Sequence, residues 1–205
     1  KYAFMKVGIG TTLLSRNAFF NYVQMNVGGC VLSFNELENG VLRGNRKGRL
    51  NVKAPFGKND PRLDLMVQAV DCRIHFGLNC GAKSCPPIRN FSSDSVEEDL
   101  RLVATSYCAQ DENVTVDAQN YVLYLTAIFK WFQTDFANPL DEIPKTVVQF
   151  LGGEKQTTLQ TMIDSGKPIV IKFYDDYDWS TNASDFVEFN SSGLKANNKS
   201  VKALF

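Results

Sequence analysis

The run from Asp71 to Ile88, DCRIHFGLNCGAKSCPPI, gathers the only histidine of the chain and three of its five cysteines into 18 residues. A thiolate is a strong nucleophile and an imidazole can take its proton or stabilise its charge, so the run has the ingredients of thiol chemistry. In that arrangement Cys80 or Cys85 attacks, His75 withdraws the proton, and Lys83 adds positive potential. A redox version pairs Cys80 with Cys85, which the four intervening residues allow, although the spacing is not the C-x-x-C of dithiol oxidoreductases. A metal version uses Cys72, His75, Cys80 and Cys85, whose C-x2-H-x4-C-x4-C spacing would offer four soft ligands to tetrahedral zinc. A structural version makes His75 a hydrogen-bonded residue that orients a loop and the cysteines small packed groups.

The elements that position these side chains can be read from local pattern. Arg73 to Leu78 alternates polar residues with Ile74, Phe76 and Leu78, which predicts a strand with one buried face and His75 on the other. Asn79-Cys80-Gly81 ends the alternation and Pro86-Pro87 excludes a helix interior, so Cys80 and Cys85 frame a short constrained loop. Upstream, strands Asn21–Val27 and Cys30–Phe34 flank Gly28-Gly29, a pair suited to a tight hairpin. Ser33 with Glu36 three residues on predicts a helix opened by a capping box, stopped at Gly44. Downstream, a helix from Ser93 or Asp94 to about Ala109 carries Val96, Leu100, Val103 and Tyr107 at helical spacing. A second hairpin is expected at Val114–Val116 and Tyr121–Leu125, then a short aromatic helix at Ile128–Phe132. Helices from Pro144 to Leu151 and from Thr157 to Ile163 follow, and Pro168–Tyr174 makes the last strand.

Several of these segments carry a family likeness. RIHFGLNCGAKSCPPI, together with SFNELENGVLRGNR (Ser33–Arg46), DPR (Asp60–Arg62), IFKWF (Ile128–Phe132) and YDWSTN (Tyr177–Asn182), resembles the domain of unknown function 547 family in content and order. The resemblance implies a shared fold without an assigned reaction, and some members are fused to glutaredoxin domains. It also singles out Asp178, since the family motif contains it and a carboxylate can fix a histidine tautomer. The family's usual opening helix is matched only by a tail-like Tyr2–Gly10, and the chain opens at Lys1, as expected of a processed product or a piece of something longer.

At 205 residues, with 44% apolar and 12% aromatic content, the chain can bury a core without disulfide staples. An odd number of cysteines argues for reduced thiols and for an intracellular or organellar setting over a secreted one. Net charge is zero but unevenly spread: residues 1–62 carry ten Lys/Arg against three Asp/Glu, and residues 63–205 twelve against nineteen. The basic excess includes Arg43, Arg46, Lys47 and Arg49, the candidate binding patch. Nucleic acid is not the expected partner, because the domain is neutral overall and the patch has no interleaved aromatics. No apolar run is long enough to span a membrane.

The expected fold is therefore α+β: a single domain over 1–190 with a small mixed or antiparallel sheet, hairpins packed by several helices, and a peripheral tail at 191–205. The expected function is a non-catalytic binding or assembly component held by other protein subunits, with no cofactor. The alternative is a thiol-dependent hydrolase or transferase, or a redox-linked enzyme, using Cys80 or Cys85 with His75.

Overall fold

The computed structural model describes Gly8, Gly10, residues 12–182 and the backbone of Val201–Lys202. Tyr2–Gly10, apart from its two glycines, and the 191–205 tail, apart from that backbone, lie outside the described residues. The chain is α+β, as its patterning implies, and it divides into two compact units at Asp71/Cys72, with Ser180 onward returning to the first.

The first unit opens with α1 (Leu13–Tyr22), where Thr12 and Ser15 cap each other: Thr12 Oγ1 accepts from Ser15 N–H at 3.1 Å and Ser15 Oγ from Thr12 N–H at 3.0 Å. The sequence reading missed this helix and began a strand at Asn21, because a Thr/Ser box lacks the Glu or Gln that usually marks one. The hairpin is as expected, with β1 (Val23–Val27) antiparallel to β2 (Cys30–Ser33) and Val27 opposite Cys30. Gly28 and Gly29 turn it at φ of 59° and 90°, in the left-handed region that glycine adopts freely. Val201–Lys202 (β6) adds a parallel strand on the other side of β1. The expected capping box also forms, Glu36 Oε2 accepting from Ser33 N–H at 2.8 Å and Ser33 Oγ from Glu36 N–H at 3.1 Å. What it opens is a π-helix, Glu36–Leu42, followed after a long loop by a 3-10 turn at Pro61–Leu65. Phe19, Val23, Leu32 and Phe56 form the buried apolar positions of this unit.

The second unit holds the signature. Its mixed sheet runs β3 (Val114–Asp117), β4 (Val122–Leu125), β5 (Val170–Phe173), antiparallel then parallel, with Leu123 facing Ile171 across the parallel pair. Around it lie α2 (Ile74–Gly77), α3 (Val96–Cys108), α4 (Ala127–Trp131), α5 (Gln133–Phe136), α6 (Ile143–Val147) and α7 (Gly153–Asp164). The apolar stripe of α3 is Val103, Ala104, Tyr107 and Cys108, whereas Val96, expected on that stripe, is exposed. Phe76, Leu123, Leu125, Phe129, Ile143, Val147 and Leu159 are sealed in one continuous core. Complete burial contributes about 2–3 kcal/mol for a side chain the size of Phe76, so the turn that carries His75 has a rigid seat.

Candidate active site

The expected strand at Arg73–Leu78 is instead a single helical turn. His75 N–H donates to Cys72 O at 3.2 Å, Phe76 N–H to Arg73 O at 3.0 Å and Leu78 N–H to Ile74 O at 2.9 Å. Six alternating residues cannot separate a half-buried strand from a turn whose polar member has its own buried partner, and that is the case here. Ile74, His75 and Phe76 are all buried in succession. His75 thus points inward. Its Nε2 lies 2.9 Å from Asp135 Oδ2, and its ring stacks on Phe132 with centroids 4.0 Å apart at 18°. The two side chains are only 2% and 0% exposed. Asp135, in α5, replaces the expected Asp178 as the carboxylate that orients the imidazole. Nothing local marks Asp135, 60 residues away from its partner.

Beyond Leu78 the chain enters the constrained loop as expected. Asn79 holds its two arms, donating from Nδ2 to Pro86 O at 2.7 Å and accepting at Oδ1 from Gly81 N–H at 2.8 Å. Gly81, at φ 81°, reverses the chain, and Cys85 N–H closes a turn onto Ala82 O at 3.1 Å. The outcome is that Cys80 and Cys85, both free thiols, bring their sulfurs within 2.7 Å of each other. Tyr177 completes the cluster, its hydroxyl 3.3 Å from Cys85 Sγ and 3.8 Å from Cys80 Sγ. The backbone N–H of Cys80 also donates to Cys85 Sγ, at 3.1 Å.

Three donors therefore converge on one sulfur. The Cys85 thiol is drawn down to about 6, chiefly because the Cys80 S–H donates to it; burial opposes the shift, and the Tyr177 hydroxyl and the backbone N–H groups of Cys80 and Ala82 assist it. Cys80 is pushed far up, first by that same hydrogen bond to Cys85, then by burial and by the charge on Cys85. Burial, followed by the neighbouring thiolate charge, likewise raises Tyr177, which stays a protonated donor. The shared hydrogen bond favours a single charge on the pair, and the Cys80 N–H and the nearer Tyr177 hydroxyl favour placing it on Cys85.

Neither thiol takes His75 as a hydrogen-bond partner; their side-chain partners are each other and Tyr177. Lys83 sits on the loop, mostly exposed, its Nζ 4.0 Å from the Asp178 carboxylate. Asp178 is anchored to the loop through its backbone, donating to Ser84 Oγ at 2.9 Å and accepting from Ser84 N–H at 3.3 Å. Tyr177 turns its hydroxyl onto the thiols while its ring packs on Trp131 and Trp179, at 4.7 Å from each. Among the described residues no three His, Cys, Asp or Glu side chains are grouped to hold a metal ion, so Cys72, His75, Cys80 and Cys85 do not assemble into the four-ligand pattern. A cavity of about 230 Å³ opens onto Cys85, walled by Lys83, Pro86, Tyr107, Gln110, Glu112 and Tyr177.

In the candidate binding patch, Arg46, Lys47 and Arg49 are exposed. Arg43 is not: it is 4% exposed and donates to Asn39 Oδ1 at 2.6 Å and to Lys47 O at 3.3 Å, bracing the loop from inside. Among the described residues no helix is long and apolar enough to cross a membrane.

No curated protein and no solved structure matches the chain. A family described as "Protein of unknown function, DUF547" matches residues 2–108, a span that includes the His75 turn and the whole Cys80–Cys85 loop and ends before Asp135 and Tyr177. On that match, with the signature segments in place, the chain belongs to the DUF547 family.

Proposed function

We propose that Cys80 and Cys85 form a dithiol redox site, with Cys85 as the attacking thiolate and Cys80 as the resolving thiol. The observation that carries this reading is the 2.7 Å approach of the two sulfurs beside an open cavity. A hydrolase or transferase would want a base at the nucleophile, and the atom beside Cys85 is a second sulfur. The buried His75–Asp135 pair has its own partner.

The chemistry follows from the electrostatics of the pair. Cys85 thiolate attacks one sulfur of an incoming disulfide; that S–S bond breaks and the first thiolate leaves and takes a proton from solvent. Cys85 is then uncharged, so the hydrogen bond and the charge that held the Cys80 proton are gone. Cys80 releases its proton to water and attacks Cys85 Sγ, expelling the second thiolate. One substrate disulfide becomes two thiols and the protein gains a Cys80–Cys85 disulfide. A thiol reductant returns it by the reverse exchange.

The test uses a chromogenic aromatic disulfide on the native protein, with peptide mapping. Two thiolates released per pair and a mapped Cys80–Cys85 disulfide are expected, and Cys80→Ser should stop at one thiolate with the mixed disulfide left on Cys85. If neither sulfur reacts before the protein unfolds, the redox reading fails and the signature is structural, as a binding or assembly component would have it.

A further inference from the structure

The long loop of the first unit is not slack. Asn45 and Phe56 exchange two hydrogen bonds, Asn45 Nδ2 to Phe56 O and Phe56 N–H to Asn45 Oδ1, both 3.0 Å. Asn51 Nδ2 donates to Asn35 Oδ1 at 2.8 Å, and Gly48 packs so closely on the Asn39 amide that a Cβ there would sit 2.9 Å from it. Phe56 is buried under the Arg62 guanidinium, 4.7 Å from its ring centroid. Residues 46–55 are thus a ten-residue Ω-loop with a closed neck and pinned inner residues. Its exposed residues are the cations Arg46, Lys47, Arg49 and Lys53, the small Ala54, and the aliphatics Leu50 and Val52, which are 45% and 89% exposed. No acidic residue occurs between Arg43 and Asn59.

We propose that this loop docks on an anionic lipid surface, Leu50 and Val52 entering the headgroup region while Lys47 and Lys53 meet the lipid charges. The combination selects that partner. A bilayer surface offers hydrocarbon and negative charge together and asks for no concave fit, which suits two aliphatics at the tip of a convex, braced loop. Nucleic acid would supply the anions but nothing for Leu50 and Val52, and the loop presents no aromatic on which a base could stack.

The whole chain is tested by flotation with vesicles of phosphatidylcholine alone and of phosphatidylcholine with phosphatidylserine. Binding is expected only where phosphatidylserine is present, and it should vanish in about 1 M salt, where screening acts within about 3 Å. Lys47→Gln with Lys53→Gln should weaken it by about fivefold per cation. Leu50→Asp with Val52→Asp, at exposed positions that leave the Asn45–Phe56 clamp untouched, should weaken it by at least about tenfold, with unchanged circular dichroism. Failure to bind either vesicle, equal binding to both, or binding indifferent to both pairs of substitutions overturns the proposal. A single-stranded oligonucleotide or an acidic peptide that binds through the same four residues, when vesicles do not, overturns it in favour of that partner.

Discussion

His75 and Cys85 belong to one short signature, yet their surroundings differ in kind. His75 and Asp135 are closed in by Phe132 and Phe136, with ring centroids 4.0 and 5.4 Å from the imidazole, and neither side chain exceeds 2% exposure. Cys85, Cys80 and Tyr177 are half-buried beside a cavity. A buried pair with mutual satisfaction holds a fold together and excludes reagents; a partly open cluster with donors converging on one atom holds a charge where reagents can reach it. The signature therefore divides at Leu78 into a sealed half that seats the turn and a more accessible half, the one that the proposed thiol chemistry would use.

The largest effect should come from breaking the sealed half. Asp135→Ala leaves His75 buried without its carboxylate, and a loss of about 1–3 kcal/mol in denaturant unfolding is expected, while the pH dependence of Cys85 alkylation in the folded protein stays where it was. If alkylation shifts instead, the two halves are coupled and the comparison fails.

Next comes the accessible half. Alkylation of native Cys85 by a small thiol reagent should have its midpoint at about pH 6, well below the ordinary thiol value of about 8.5. Cys80→Ala removes the principal donor and should move the midpoint up by more than one unit, with little loss of stability. The same shift sets a sign for folding. A thiol whose folded value is lowered stabilises the native state fully above its unfolded pKa, and that contribution is lost as pH falls toward 6. Stability from this group therefore rises between about pH 6 and about 8.5. Cys80, held up, acts oppositely and erodes stability above that window.

The smallest expected effect is Tyr177→Phe. It deletes one hydroxyl donor to Cys85 and keeps the ring against Trp131 and Trp179. The alkylation midpoint should rise by about one unit. No change would mean that the thiolate is held by Cys80 and the backbone alone.

How much of this was legible in the sequence depends on the reach of each interaction. The Gly28-Gly29 hairpin, the Ser33/Glu36 box, the Asp117–Asn120 turn and the proline-bounded cysteine loop all rest on contacts within a few residues, and each is present where the pattern placed it. The errors occur where a distant group decides. Asp135 lets His75 be buried, which turns an apparent strand into a helical turn. Tyr177, 92 residues from Cys85, supplies a donor that no local spacing announces. Arg43 looked like part of a basic surface because its charge is visible in the sequence and its inward partner, the Asn39 side chain, is not.

The π-helix at Glu36–Leu42 has a consequence for the family's tolerance of gaps. Its closing bonds reach back five positions, from Arg43 N–H to Glu38 O and from Asn45 N–H to Gly40 O, both 2.9 Å, where an α-helix would reach back four. Deleting a single residue here would let the coil rewind as an α-helix with its hydrogen bonds intact. Because the wider coil turns less per residue, losing one residue while tightening to an α-helix leaves the chain beyond it pointing nearly where it did, and the Asn45–Phe56 clamp keeps its direction. In this stretch a one-residue gap should be easier to accommodate than in an ordinary α-helix, where it would swing everything downstream by about 100°.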